Sequence, residues 1–206
     1  MNILYWNCQG ISNLDTFNVL RCFIITYSPK LFDLVDPKLN YASRFQHYPP
    51  FGYSFIGACI NGTSCESLWL FSHSSIQSLN ICTITNQSIT CDYIFENANV
   101  YSIFVYAYNR YQDRRGLWND ISQLRSTIHS PWFIVGDFNA ILDPSEKVDP
   151  SHDSISSKEF KACIELNKFI DINLVGAKLT WFGKHYNKIM ASKLDRAFNN
   201  DHALDK

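Results

Sequence analysis

Short apolar segments that each end in a polar residue most constrain the fold of this 206-residue chain. Residues 132–135 lead into Gly136-Asp137-Phe138-Asn139, residues 1–6 lead into Asn7, and residues 31–35 lead into Asp36. Apolar segments of this length are typical of buried β-strands. Because residues i and i+2 of a strand point to the same side, we expect Asp137 and Asn139 to present a carboxylate and an amide at one place.

Helical and strand patterns alternate along the chain. Apolar residues recur at helical spacing in residues 15–27, 114–129 and 157–169. Residues 68–71, 76–84, 89–95 and 100–106 predict strands of an antiparallel meander, residues 178–182 and 193–198 predict two more strands, and Asn61-Gly62 predicts a hairpin turn. The mixture predicts one layered α/β domain over residues 1–206, rather than a helix bundle or a solenoid.

Charge and cysteine content exclude several classes of protein. The net charge is −1, from 18 basic and 19 acidic residues, so the chain is not a uniformly basic nucleic-acid binder. Only 4 basic residues lie in residues 1–100, which places any surface for a phosphate backbone mostly in the second half. Seven cysteines without a Cys-x-x-Cys pair argue against a zinc ribbon and a complete disulfide framework.

From the sequence we expect neither a membrane span nor a signal peptide. No apolar run reaches the roughly 20 residues that a membrane-spanning helix needs. The N-terminal segment MNILYWNCQG lacks the basic region of a secretion signal. We therefore expect an intracellular protein, nuclear or cytoplasmic, that is not secreted and has no membrane partner. We also expect a monomer without a small-molecule cofactor.

The polar residues at the strand ends have a structural as well as a functional interpretation. The sequence Gly-Asp-x-Asn at 136–139 is typical of a turn. Asn7 can form hydrogen bonds with the backbone of a loop, and Asp36 can cap a turn before Pro37. The functional alternatives are a carboxylate that holds a cation or an attacking water, and an amide that binds an oxyanion. A polar residue follows an apolar segment at several predicted strand ends, and this recurrence favours the functional interpretation.

Two further candidates lie near strand ends in the second half of the chain. Tyr106 could contact a phosphate oxygen or be one of several core tyrosines. Asp195 could serve a site or form a surface ion pair with its neighbour Arg196. Taken alone, neither residue decides between the two interpretations.

An ordered series of motifs resembles the endonuclease/exonuclease/phosphatase family: WNCQG, LVDPK, FVYAYN, RRGLW, PWFIVGDFNAIL with Glu146, LTWFG and KLDRAF. The closer resemblance is to the N-terminal endonuclease domain of plant non-LTR retrotransposon polyproteins, and it covers about residues 2–200. It implies a four-layered α/β sandwich, in which two mostly antiparallel β-sheets pack face to face between helices. It also implies hydrolysis of DNA phosphodiester bonds with Mg²⁺, or alternatively Mn²⁺.

The resemblance implies roles for residues of the first half. Asn7 matches an asparagine that helps to bind the metal ion or the phosphate. Asp36 lies where the family has its metal-binding glutamate. Tyr106 matches a tyrosine that contacts the phosphate.

The resemblance also implies roles for residues of the second half. Asp137 matches the aspartate that orients or deprotonates the attacking water, and Asn139 matches the asparagine that stabilises the phosphorane. Asp195 matches the aspartate of the Leu-Asp-Arg strand. Thr180 lies in a motif near the DNA-facing surface. Arg115 is a weaker substrate-binding candidate, because the arginine of that motif is more often structural in the family.

Two departures from the family pattern predict weak or absent cleavage. Asp36 replaces a glutamate. Its side chain is one methylene shorter, so its carboxylate lies farther from a cation that requires near-octahedral geometry. The chain ends at Lys206, before the family's final strand with its Ser-Asp-His motif, and Asp201-His202 follows the Leu-Asp-Arg motif too closely to replace it. Loss of a catalytic acid or base commonly lowers the rate by about 10²–10⁴-fold.

Two other functions remain open at this point. One is a non-catalytic relic or nucleic-acid-binding domain, with a phosphate track formed by Arg110, Arg114, Arg115, Lys184, Lys188, Lys193 and Arg196. Interleaved acidic residues make an ordinary mixed-charge surface an equally good interpretation of that set. The other function is hydrolysis of small phosphate esters or lipid headgroups, which the wider family includes.

Overall fold

The chain forms two units in the computed structural model, Met1–Tyr106 and Ala107–Lys206. The structure describes residues 2–44, 52–62, 64–148, 154–173, 175–185 and 188–203. Each unit contains both β-sheets and helices.

The first unit begins with a β-α-β element. Strands β1 (Ile3–Asn7) and β2 (Leu31–Val35) are parallel, and helix α1 (Leu14–Tyr27) connects them. Asn13 caps this helix, because its side chain accepts a 2.7 Å hydrogen bond from the N–H of Thr16. The parallel arrangement brings the carboxyl ends of β1 and β2 to the same edge of the sheet.

A short helix and two antiparallel strands complete the first sheet. They are α2 (Tyr41–Arg44), β3 (Tyr53–Cys59) and β4 (Leu68–His73), and the strand order is β1-β2-β4-β3. The prediction that residues 68–71 belong to the meander is wrong, because β4 pairs with β2 and β3. Its residues 68–72 are all buried, so their periodicity does not show which sheet they join.

The meander itself consists of three strands. These are β5 (Gln77–Ile84), β6 (Ser88–Phe95) and β7 (Ala98–Tyr106), which pair in that order. Asn61-Gly62 does not form a two-residue hairpin turn, since residues 60–67 connect β3 to β4. The turn dipeptide is present, but the connection around it is longer than its chemistry alone predicts.

The described residues of the second unit form two helices, two three-stranded arrangements and two 3₁₀ turns, at Pro144–Glu146 and Asp201–Ala203. Its elements are α3 (Tyr111–Thr127), β8 (Trp132–Asp137), β9 (Lys147–Val148), α4 (Ser154–Leu166), β10 (Ile170–Asp171), β11 (Trp181–His185), β12 (Lys188–Ser192) and β13 (Asp195–Asn199). Strand β13 pairs with β8 and β10, and β12 pairs with β11 and β9; all these pairs are antiparallel.

Several boundaries in the second unit differ from the predicted ones. Helix α4 begins and ends three residues before the predicted range 157–169. Lys168 has a φ of 53°, so the left-handed backbone turns Phe169 out of the helical path. Strand β12 was not predicted, because Met190 and Ala191 at its centre carry little β-propensity.

Each unit has its own aromatic core. In the first, Phe32 stacks on Phe71 at 4.5 Å between ring centroids, and α1 covers this core with Leu20 and Ile24. In the second, the rings of Trp118, Phe138, Phe160 and Phe198 lie within 5.0–6.4 Å of one another. The second core joins α3, α4 and β13 to Phe138, which directly follows β8.

Replacing Phe160 by alanine is expected to lower the free energy of unfolding by about 3–5 kcal/mol, because the side chain is fully buried among three aromatic rings. Urea denaturation followed by circular dichroism measures the change. Phe182→Ala is the matched control, since that ring is 64% exposed. A loss for Phe160→Ala no larger than that of the control would contradict the packing described above.

Candidate active site

In the first unit, Asn7 and Asp36 lie side by side at the sheet edge where β1 and β2 end. Asn7 is the register partner of Val35, and Asp36 is the next residue after Val35. The loops that follow are joined by backbone hydrogen bonds, from Cys8 N to Val35 O at 3.0 Å and from Gly10 N to Asp36 O at 2.8 Å. The predicted neighbourhood of these two residues is thus present, although their catalytic roles stay predictions.

The backbone at this edge is strained. Gln9, Asp36 and Lys38 have φ values of 48°, 55° and 58°, and Gly10 has 108°. A non-glycine residue held in a sparsely populated conformation costs on the order of 1–3 kcal/mol, and such residues cluster at functional sites. Three of them in two adjacent loops therefore support a function for the edge that carries Asn7 and Asp36.

The oxygen donors of Asn7 and Asp36 suit a hard divalent cation. Mg²⁺ in proteins is often held by one or two carboxylates and keeps several water ligands. The Asp36 carboxyl group is about 30% exposed and lies 3.5 Å from Lys38 Nζ, so a cation at Asp36 would have to share that carboxylate. Among the described residues, no group of three or more His, Cys, Asp and Glu side chains could hold a metal ion. Two oxygen donors are too few for a closed zinc site, which needs four ligands, and a role of Asn7 and Asp36 in holding Mg²⁺ stays a proposal.

Cys8 lies between the two loops and is unsuited to act as a nucleophile. Its Sγ lies 3.3 Å from the carbonyl oxygen of Val35. Burial raises the pKa of the Cys8 thiol to about 11, a rise that backbone hydrogen bonding only partly offsets. The thiol is therefore protonated at neutral pH, and thiolate chemistry at this edge is disfavoured.

Tyr106 is the last residue of β7. Its N–H donates a 2.9 Å hydrogen bond to the carbonyl oxygen of Gln87, and the residue is partly exposed. Tyr106 is thus neither a fully buried core tyrosine nor a freely exposed one. Its predicted phosphate contact stays a prediction.

In the second unit, Asp137 and Asp195 are direct register partners across the antiparallel pair β8–β13. Side chains of directly opposed residues lie on the same face, with Cβ atoms about 4.5–5.5 Å apart. Asp137 is only 4% exposed, and Asp195 is partly exposed. The register therefore presents both carboxylates on the same face of the β8–β13 pair.

Asn139 is fixed by two hydrogen bonds, one from its backbone to Asp137 and one from its side chain to Ala107. Its N–H donates a 2.8 Å hydrogen bond to Asp137 Oδ1, and its Nδ2 donates a 2.7 Å hydrogen bond to the carbonyl oxygen of Ala107. The φ of Asn139 is 46°, a conformation that asparagine tolerates better than most residues. The turn interpretation and the functional one are therefore compatible, because the turn orients both side chains.

Thr180 supports Asp195 directly. Its Oγ1 accepts hydrogen bonds of 3.0 Å from the N–H groups of Leu194 and Asp195. Its own N–H donates to the carbonyl oxygen of Ser192 at 3.0 Å. The hydroxyl predicted to face substrate thus also fixes the start of β13, a role that the sequence did not reveal.

The two candidate arginines have different environments. Arg115 is exposed and forms a 2.6 Å ion pair with Glu159. The Arg196 side chain is fully buried and pairs with Asp171 Oδ2 at 2.7 Å and with Glu146. Arg196 is thus a buried structural cation and not part of a surface phosphate track. Arg115 can reach a substrate only by sharing or leaving its contact with Glu159.

Sequence reasoning missed Asp171 and placed Arg114 in a surface phosphate track, where its burial does not allow it. Arg114 is buried on α3, and Asp171 pairs with both Arg196 and Lys193. Glu146, noted only as part of a motif, accepts hydrogen bonds from two backbone N–H groups as well as from Arg196. A buried charged pair gives no periodic signal, so spacing alone could not have identified them.

Comparison with known proteins places this geometry in a known architecture. No protein-family model matches the chain, and no curated protein matches it. Among solved structures, the endonuclease domain of TRAS1, a telomere-specific non-LTR retrotransposon, matches with a TM-score of 0.76 and 14% identity, over 98% of this chain and 86% of that one.

Two other solved structures give similar values. The 3′ phosphatase NExo from Neisseria, bound to a product DNA hairpin, matches with a TM-score of 0.71 and 16% identity over 98% of this chain and 87% of that one. The AP endonuclease LMAP from Leishmania major matches with a TM-score of 0.72 and 13% identity, over 97% of this chain and 79% of that one. The chain has the endonuclease/exonuclease/phosphatase fold. The predicted fold class, an α/β sandwich with mostly antiparallel sheets and flanking helices, is confirmed.

The likeness at this identity establishes the fold and leaves the roles of individual residues as proposals. In the part of the chain that the structure describes, no helix has the length and apolar character to cross a bilayer. A retrotransposon endonuclease domain is among the matching structures, as the motif series predicted.

Replacing Thr180 by valine is expected to lower the free energy of unfolding by about 1–2 kcal/mol, because two backbone N–H groups lose their acceptor while the side-chain volume is kept. Thr180→Ser is the matched control and should retain most of the stability, since it keeps the hydroxyl. Urea denaturation of both variants measures the difference. Equal stability of the valine variant and the wild type would exclude the anchoring role.

Proposed function

We propose that this protein is a divalent-metal-dependent phosphodiesterase that cleaves the DNA backbone at a low rate. The observation that carries the proposal is the opposed pair Asp137 and Asp195, with Asn139 held against the first of them. Polar groups of this kind at strand ends are what hydrolysis of a phosphodiester requires. The fold shared with nucleases and a phosphatase acting on DNA supports this choice of chemistry.

In this proposal Asp137 receives a proton from the attacking water. The water oxygen forms a bond to phosphorus, the bond from phosphorus to the leaving oxygen breaks, and that oxygen takes a proton from solvent water. Asp137 is suited to the first step because its Oδ1 is fixed by the N–H of Asn139 and the residue is nearly inaccessible to bulk water. Asp195 lies opposite Asp137 in the strand register, and we propose that it orients the polar groups next to Asp137.

Asn139 and Tyr106 are proposed to stabilise negative charge on the phosphate oxygens. The Nδ2 of Asn139 carries two N–H groups, one of which Ala107 accepts. The second can donate to an oxyanion, and a preoriented donor of this kind is worth more than one that must reorganise. The Tyr106 hydroxyl would serve as a further donor.

Asn7 and Asp36 are proposed to hold the cation. A bound Mg²⁺ would supply Lewis-acid polarisation of a phosphoryl oxygen and neutralise developing charge. Asp36 replaces the glutamate that the family resemblance leads us to expect, and its carboxylate also contacts Lys38. Both features weaken the hold on a small cation that demands regular geometry, and they are the basis for proposing a low rate.

Nicking of supercoiled plasmid by the purified chain, first with Mg²⁺ and then with Mn²⁺, tests the proposal. Asp137→Asn keeps the shape of the side chain but removes its basicity, so the rate should fall by about 10²–10⁴-fold. Asp201→Asn, which alters an exposed acid in the 3₁₀ turn Asp201–Ala203, is the matched control. Asp36→Glu should raise the Mg²⁺-dependent rate, since the longer carboxylate reaches further.

Circular dichroism must show that all variants are folded. Nicking by Asp137→Asn equal to that of the wild type would overturn the assigned role. Folded wild-type protein that nicks in neither metal would overturn the phosphodiesterase proposal and favour the non-catalytic, DNA-binding alternative.

The hairpin β11–β12 offers a surface for DNA. Phe182 and Lys184 lie on one face with Ile189, which is the register partner of Lys184. Both Phe182 and Ile189 are largely exposed. An exposed ring beside a lysine suits a base face and a phosphate at the same time. On the other face, Trp181 packs over Gly183.

Lys184→Ala is expected to weaken DNA binding and to reduce the slope of log K against log salt concentration by about 0.9, because one fewer counterion is released. Phe182→Ala should weaken binding without changing that slope. Fluorescence anisotropy with a labelled duplex between low and moderate salt measures both. Lys168→Ala, an exposed lysine outside the hairpin, is the matched control, and a slope equally reduced in that variant would refute the hairpin surface.

A further inference from the structure

Arg114 is a buried cation whose hydrogen bonds go to the loop before α3. The residue is 2% exposed. Its Nη1 donates hydrogen bonds of 3.0 Å to the carbonyl oxygens of both Tyr108 and Asn109, and its Nη2 donates to Ser156 Oγ on α4. Two successive carbonyl groups of one loop are thus held by one planar guanidinium group.

The same loop is hydrogen-bonded to the segment that carries the candidate catalytic pair. Ala107, directly before Tyr108, donates its N–H to the carbonyl oxygen of Asp137 at 2.8 Å. Its own carbonyl oxygen accepts Nδ2 of Asn139 at 2.7 Å. The backbone of residues 107–109 therefore connects Arg114, which binds its carbonyl groups at 108 and 109, to Asp137 and Asn139, which are hydrogen-bonded to Ala107.

The contact with Ala107 determines which way the Asn139 amide points. A backbone carbonyl can only accept a hydrogen bond, so the NH₂ end of the amide must face Ala107. If the carbonyl of Ala107 moved or rotated, the amide could turn over and present its oxygen where a donor is needed. The left-handed backbone of Asn139, with φ 46°, would not by itself prevent this rotation.

We propose that Arg114 is a positioning residue that fixes the orientation of the Asn139 amide through the carbonyl groups of residues 107–109. The inference rests on the proposed function only for its catalytic consequence, since the orientation itself is a property of the folded chain. Arginine suits the task because its fork of donors reaches two carbonyls and Ser156 at once and stays charged at all relevant pH values. A lysine ammonium group is a single point and cannot span the same set.

The first test measures the Asn139 amide without reference to activity. In ¹⁵N spectra, the side-chain NH₂ signals of Asn139 are identified by their loss in Asn139→Asp. In Arg114→Met, the side-chain N–H of Asn139 that donates to Ala107 should exchange with solvent about 10-fold faster, as expected for loss of roughly one hydrogen bond. Arg125→Met, in the last turn of the same helix, is the matched control and should leave the exchange rate unchanged.

Thermal unfolding shows whether each variant is folded. If Arg114→Met does not fold, Arg114→Lys decides the question, with an expected acceleration of roughly threefold because one carbonyl contact can be kept. Unchanged exchange of the Asn139 amide in a folded Arg114→Met, or in Arg114→Lys where Met does not fold, would overturn the proposal.

The second test separates positioning from general stability. In plasmid nicking, Arg114→Met should lower kcat by on the order of 10- to 100-fold with KM nearly unchanged, as misplacement of a catalytic group does. Arg114→Lys should recover part of the loss. An equally large loss in a stability-matched variant such as Ile128→Ala, a buried residue at the end of α3 with no role in the candidate site, would overturn the positioning role. If the wild type does not nick DNA, the proposed function fails, while the amide exchange still decides the role of Arg114.

Discussion

The buried guanidinium group of Arg196 holds three parts of the second unit together. It lies between Asp171 in β10 and Glu146 in the 3₁₀ turn, with its side chain fully out of solvent. An unpaired charge in that position would cost several kcal/mol, so β10, the turn and β13 must meet in the one arrangement that pairs all of them. Such a network specifies the arrangement of the strands rather than adding net stability, since apolar replacements of buried ion pairs are often neutral.

The candidate site depends on how backbone groups are satisfied where strands stop. A strand end leaves N–H and carbonyl groups that lose their ladder partners, and buried groups of this kind need substitutes. Thr180 supplies an acceptor at the start of β13, and Arg114 supplies donors to the loop before α3. Asn139 supplies a donor to Ala107. The polar residues of the region thus hold the loops in place as well as offering chemistry.

Much of this fold could be predicted from the chain itself. The strand ending in Asp137 and the β1–α1–β2 element follow directly from apolar segments and helical spacing. Strand β4 was assigned to the wrong sheet, because a strand buried on both faces shows no alternation that would reveal its partners. Strand pairing is decided by contacts between distant segments, and local patterns do not contain that information.

The site was predicted only in part, for the same physical reason. Asp137 and Asn139 were found because their spacing within one strand and turn is local. The pairing of Asp137 with Asp195 depends on the register of two strands far apart in sequence. The supporting contacts of Arg114 and Arg196 depend on the burial of both side chains. The sequence does not indicate this burial, because charged residues in a mixed-charge segment are usually exposed.

Gly183 has a consequence for the hairpin β11–β12 that extends beyond local packing. A Cβ atom at this position would lie 2.5 Å from Cη2 of Trp181 and 2.8 Å from Cζ2, closer than any two such atoms can approach. The indole therefore lies flat on its own strand only because position 183 has no side chain. A single added methyl group would displace the ring from the strand and change the shape of the face that carries Trp181. One substitution at position 183 could thus change the shape of that surface and leave every residue of the candidate site unchanged.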